Sequence, residues 1–157
     1  MLKLCGLFGA VLLGLEAVAQ LPVEVHGNQL ELLHSADRVL AANKKLVFDF
    51  WREVLQAHHA DRAPEYVAEG YVQHDPNVAT GRAAFVEVVG RLPREPVKAT
   101  IDELVSIVAE RDLVVLAFRS ELPDLENEGQ TYTTTWFDML RIDDGKIVEH
   151  WNYGTKD

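Results

Sequence analysis

Residues 137–152 read Phe137-Asp138-Met139-Leu140-Arg141-Ile142-Asp143-Asp144-Gly145-Lys146-Ile147-Val148-Glu149-His150-Trp151-Asn152, and they decide the fold. Two runs rich in apolar and β-branched residues flank Asp144-Gly145, a pair suited to a two-residue turn because both central positions need positive φ. The pattern predicts strands over Tyr132–Ile142 and Lys146–Tyr153. With that turn, Ile142 faces Ile147, Leu140 faces Glu149 and Asp138 faces Trp151. Cross-strand partners share a face, so Trp136, Asp138, Leu140, Glu149, Trp151 and Tyr153 are expected on one side. Phe137, Met139, Arg141, Val148, His150 and Asn152 are expected on the other. A one-residue bulge would exchange the two faces.

Working back from this hairpin, Pro123 to Gly129 is an acidic polar loop. Leu113 to Glu121 is a strand whose run Leu113-Val114-Val115-Leu116 predicts cover on both faces. Arg111-Asp112 forms a turn, and Lys98 to Glu110 is a further strand.

Before Pro96 the period is helical. Leu40, Asn43, Leu46, Val47, Phe50, Trp51, Val54 and Leu55 fall on one broad face, while Arg38, Lys44, Lys45, Asp49, Arg52 and Glu53 cover the other. Ser35 is placed to cap this helix. Asp61 caps a second that closes at Gly70, and Thr80 a third striped by Phe85, Val88, Val89 and Leu92. Tyr71 to Pro76 lies between them as an extended stretch. Helices followed by an antiparallel meander give an α+β domain over residues 36–157.

The chain has 157 residues, 48% hydrophobic and 25% charged, with a net charge of −10. An ordinary globular domain fits those figures. Nucleic-acid binding needs a basic surface, so that class is excluded as a partner. Residues 1–19 carry Lys3, an apolar run from Leu4 to Leu15 and Ala17-Val18-Ala19, the marks of a secretory signal peptide. A secreted or periplasmic protein is expected, with residues 20–35 as a lead-in arm. The alternative is an uncleaved N-terminal anchor; with cleavage after Ala19, Cys5, the single cysteine, leaves with the signal, and no disulfide or thiolate chemistry is expected of the mature chain.

Three stretches now carry a resemblance. Asn43-Lys44-Lys45-Leu46-Val47-Phe48-Asp49-Phe50, Tyr71-Val72-Gln73-His74-Asp75-Pro76-Asn77 and the closing Gly145-Lys146-Ile147-Val148-Glu149-His150-Trp151 are similar to the SnoaL-like, polyketide cyclase-like proteins of the nuclear transport factor 2-like superfamily. The similarity runs from about residue 41 to 153. It implies a cone-shaped fold, a curved sheet wrapped around N-terminal helices and enclosing a pocket, with homodimers formed through the outer sheet face. The superfamily includes cyclases, ketosteroid isomerases, epoxide hydrolases, dehydratases and proteins that only bind, so fold does not choose the reaction. Many members carry a polar residue in the second strand, where this chain has Leu116-Ala117-Phe118-Arg119-Ser120.

Asp138 is the leading catalytic candidate. A carboxylate inside an apolar strand is costly unless partnered, and burial makes it a stronger base. The cyclases this chain resembles use an acid/base aspartate at the matching position. The alternative is a structural carboxylate bonded to a neighbouring Trp or Tyr. His74 is the second candidate, placed between two helices where it would polarise a carbonyl or shuttle protons; the alternative is a loop-fixing histidine bonded to backbone, with Pro76 holding the turn. Trp136, Trp151, Tyr71, Tyr153 and Glu149 are the expected substrate contacts, forming an aromatic wall with acidic company. Arg119 would meet an anionic substrate or pair with Glu121. His58 and His59, adjacent on a helix end, point apart and do not make a metal site, and no metal or cofactor is expected. The expected activity is cyclase- or isomerase-type proton transfer on a small apolar carbonyl compound. The alternative is a non-catalytic module holding a small apolar ligand in the same pocket.

Overall fold

The computed structural model describes residues 20–156. The proposed signal segment, residues 1–19, lies outside the described residues.

Apolar periodicity produces the long helix where expected. α1 spans Arg38–Phe50 and continues through a π-helical turn over Trp51–Gln56. Its cap is Asp37 rather than Ser35: the Asp37 carboxylate accepts the N–H groups of Val39 and Leu40. Val47, Phe48, Phe50 and Val54 are buried. Lys44, expected on the solvent side, is also buried. Its ammonium donates to the carbonyls of Leu32 (2.5 Å) and His34 (2.6 Å), tying the arm to α1. The π turn places an extra residue in the helix, and Trp51, Leu55 and Gln56 all line one cavity.

The arm contains one short 3-10 turn, Gln29–Leu33, and straps the open edge of the sheet. The buried Gln29 amide accepts from Ile101 N and donates to Ile101 O, and His26 N donates to Leu104 O.

The second helix is much shorter than expected. α2 is Ala63–Tyr66, with Pro64 in its first turn, and Asp61 pairs with Arg94 instead of capping it. Strand β1 begins at once and runs Val67–Gln73. Pairing with the last strand of the sheet supplies backbone partners that outweigh a weak helical pattern. α3 is Arg82–Val89, capped by Gly81 at φ 107°, and the Thr80 hydroxyl instead bonds the backbone of Gln73. Phe85 and Val89 are buried, whereas Val88 and Leu92 are exposed.

β2 is Leu104–Glu110, β3 Leu113–Pro123, β4 Thr131–Asp143 and β5 Lys146–Trp151. The sheet order is β1-β5-β4-β3-β2, antiparallel except that β1 runs parallel to β5. The chain before Leu104 turns at Glu103, φ 60°, rather than extending back to Lys98. β3 is not covered equally on both faces: Val114, Leu116 and Phe118 are buried and their neighbours are partly exposed. Among the described residues the helices pack on one face of the sheet, which imposes that alternation.

The hairpin turn forms as expected, with Asp144 and Gly145 at φ 44° and 66°. The register beyond it does not. Ile142 pairs with Ile147, but Arg141 then pairs with Glu149, Leu140 with His150 and Met139 with Trp151. Val148 is an extra residue in β5, a bulge that bends the strand. The consequence is the exchange of faces. Asp138, Leu140 and His150 turn inward, and Glu149 and Trp151 turn outward.

Candidate active site

The inner face closes on a cavity of about 420 Å³. Trp51, Phe118 and Trp136 form one wall: the Phe118 and Trp136 rings stack at 4.2 Å and 17°, and Trp51 lies 4.6 Å from Phe118. Leu55 adds an aliphatic surface, and Asp138, His150 and Asn152 also line the space. Arg119, Glu103, Asp102 and Gln56 complete it. A concave, aromatic-walled space with polar groups placed around it is a usual form of a small-molecule site.

Asp138 is 2% exposed and His150 5% exposed. Asp138 Oδ1 lies 2.5 Å from His150 Nε2, so the aspartate's partner is a histidine rather than a Trp or Tyr. Oδ2 is buried and has no hydrogen-bond partner among the described residues.

The hydrogen bonds behind His150 assign its tautomer. Gln73 Oε1 accepts the backbone N–H groups of His74 (2.9 Å) and Asp75 (3.1 Å), which directs its Nε2 toward Tyr71 and His150. That nitrogen donates to the Tyr71 oxygen at 2.9 Å and lies 3.3 Å from His150 Nδ1. The Tyr71 hydroxyl keeps one hydrogen to give, and Nδ1 is 3.1 Å away. With two donors aimed at it, Nδ1 is the acceptor. Nε2 therefore carries a hydrogen, which it donates to Asp138 Oδ1. Burial, then the charges of Asp138 and Asp75, push the Tyr71 phenol above the ordinary tyrosine range, so it remains a donor.

The Tyr71-Val72-Gln73-His74-Asp75-Pro76 stretch thus supports the site from behind. His74 does not join Asp138. Its imidazole lies on the outer face, 2.8 Å from Glu149 Oε1 and stacked on Trp151 at 5.1 Å and 7°. Glu149 also accepts from Arg141, and these two hydrogen bonds, His74 first, hold its carboxyl below the usual range. Of the five expected substrate contacts, Trp136 lines the cavity. Tyr71 is one shell behind it, Trp151 and Glu149 face outward because of the bulge, and Tyr153 is 84% exposed. Arg119 lines the cavity but pairs with Glu103 at 2.5 Å rather than with Glu121. His58 and His59 bond the carbonyls of Pro93 and Glu95, closing the loop after α3.

Sequence reasoning missed His150, Asn152, Trp51 and Phe118 as cavity residues. A signal for the first two existed. The alternation in the last strand breaks at Ile147-Val148, where two apolar residues stand side by side, and a bulge there accounts for it.

Comparison with known proteins follows the same geometry. The family model described as SnoaL-like domain matches residues 47–150. An LEH-like epoxide hydrolase from M. tuberculosis superposes with a TM-score of 0.53 at 13% identity, over 76% of this chain and 82% of that one. A protein described as a polyketide cyclase from Acidithiobacillus ferrooxidans gives 0.52 at 20% identity, over 75% and 89%. An NTF2-like protein from Mesorhizobium loti gives 0.52 at 21%, over 78% and 98%. At these identities the likeness is one of fold. No curated protein matches the chain.

Proposed function

The chain belongs to the SnoaL-like domain family, and from that footing we propose that it is an acid/base enzyme acting on a small apolar carbonyl compound. Asp138 Oδ2 removes a proton from carbon next to the carbonyl and returns it elsewhere, giving isomerisation or ring closure. His150 holds Oδ1 through its Nε2 hydrogen, fixing the carboxylate and sharing its charge. Trp51 and Trp136, backed by Phe118, form the flat wall against which the substrate lies, and Arg119, held by Glu103, contributes a cation to the cavity wall.

One observation carries this reading: the second oxygen of a buried carboxylate has no hydrogen-bond partner among the described residues, and the residue that bears it lines a ligand-sized cavity. Such a group is held ready for a proton. The test is deuterium uptake by α-tetralone, a flat enolisable ketone, in heavy water. The wild type should exceed the buffer rate, and Asp138→Asn should lose roughly a hundred- to ten-thousand-fold of that enhancement. Equal exchange by both proteins would overturn the assignment.

The same cavity serves a binding module if the ketone binds without exchange. That reading is favoured by the stretch Leu116-Ala117-Phe118-Arg119-Ser120, which has no histidine in the strand where many SnoaL-like proteins carry histidine or another polar residue. Export directed by residues 1–19 and pairing of two copies over the outer face belong to the same proposal. Val108 and Phe137, 57% and 55% exposed on that outer face, support the pairing. Light scattering of the purified protein tests it.

A further inference from the structure

Asn152 is the next inward residue after His150, and continuing the Met139–Trp151 pairing by one step sets it opposite Asp138. Its amide has a defined orientation. Nδ2 donates to Asp75 Oδ2 at 3.0 Å, and an ionised carboxylate can only accept. The amide oxygen must therefore point away from Asp75. That oxygen is buried, with no hydrogen-bond partner among the described residues, and Asn152 lines the cavity.

The orientation is also held mechanically. Asp75 Oδ1 accepts Asn77 N at 2.8 Å, and Asn77 Nδ2 donates to Thr155 O at 2.8 Å, which pins the tail beyond Asn152. Gly154 lets that tail pass close to the loop. A Cβ there would lie 2.8 Å from Pro76 Cδ and 2.9 Å from Asp75 Oδ2.

Two residues that line the cavity, Asp138 and Asn152, therefore each carry a buried acceptor without a hydrogen-bond partner among the described residues, Oδ2 and Oδ1, and an aromatic wall lines the same space. Buried acceptors left without donors are costly, so a ligand that supplies two hydrogens is strongly selected over one that supplies none. We propose that Asn152 reads the substrate, and that the substrate carries a hydroxyl (alcohol, enol or phenol) beside the carbon that loses its proton. The hydroxyl donates to Asn152 Oδ1 and keeps its hydrogen. The neighbouring C–H breaks, its proton passes to Asp138 Oδ2, and its electron pair enters the enolate. This deepens the acid/base reading and rests on it for the chemistry, while the recognition can be measured without turnover.

Catechol, phenol and anisole offer two, one and no hydroxyl hydrogens on the same ring. Their binding is to be followed by chemical-shift titration of the Trp51 and Trp136 indole N–H groups. The wild type should bind catechol about tenfold more tightly than phenol, and phenol more tightly than anisole. In Asn152→Leu, catechol should fall to the affinity of phenol, with the order of phenol and anisole kept. If Asn152→Leu also loses anisole, Asn152→Ala, which removes the acceptor without adding bulk, decides by the same comparison. Equal binding of catechol and phenol by the wild type overturns the proposal. An unchanged catechol preference in the variant, or no shift of either indole with any probe, does the same. Failure of α-tetralone exchange with this ladder intact would sink the catalytic reading and leave Asn152 as a recognition residue.

Discussion

His150 Nε2 lies 2.5 Å from Asp138 Oδ1, two side chains that sequence alternation assigns to opposite faces of the final hairpin. A single extra residue, Val148, brings them together. Both are nearly fully buried, so each depends on the other for its polar satisfaction.

Replacement of one partner should expose that dependence. His150→Leu leaves Asp138 buried with neither oxygen bonded and should cost about 3 kcal/mol, the scale for breaking a buried pair from one side. Asp138→Leu combined with His150→Leu should cost less than the sum of the single changes. Urea unfolding of the four proteins measures the coupling, and strict additivity would contradict it.

Tyr71 links the same network to pH. Its folded-state phenol is raised by burial and by the Asp138 and Asp75 charges, while the unfolded chain titrates near the ordinary value of about 10. Between those two values the native state binds the extra proton, so stability falls as pH rises. The contribution is complete below pH of about 10 and is lost through the folded-state pKa. Tyr66 adds to the same loss, raised by burial and then by its hydrogen bond to Glu53. Tyr71→Phe should flatten the alkaline decline in denaturation midpoints, at a cost of about 1 kcal/mol at neutral pH for the missing hydrogen bond.

His74 offers the opposite expectation. It is paired with Glu149 and stacked on Trp151 at the outer face, 42% exposed at its side chain. His74→Ala should leave tetralone exchange within about twofold and lower stability by no more than about 1 kcal/mol, the scale of an exposed pair. A hundredfold loss of exchange would return His74 to the reaction.

Phe118 joins the cavity wall to the core, 1% exposed and stacked on Trp136. Phe118→Ala should cost about 3–5 kcal/mol through lost burial and the void it leaves. Thermal unfolding would show it as a large drop in Tm.

What was legible in the sequence was the strongest of its local repeats. The apolar face of α1, the Asp144-Gly145 turn and the strand-rich second half follow from side-chain period and from φ preference, both properties of neighbouring residues. Asp138 was legible for a related reason: a carboxylate between Phe137 and Met139 breaks its own pattern. Its partner was not. Register is a count along the strand, and one bulged residue reverses every face beyond it, so His150 and Asn152 were assigned outward and Glu149 and Trp151 inward. His74 was misplaced because an extended loop has no period from which direction can be read. Its orientation came from β1 pairing parallel to β5, a contact between residues more than seventy positions apart. The sequence by itself determined the long first helix, the hairpin turn, the strands of the second half and the suspicious acid. Only tertiary pairing, which alone places distant strands side by side, decided that this acid meets His150, Asn152 and an aromatic wall at one cavity.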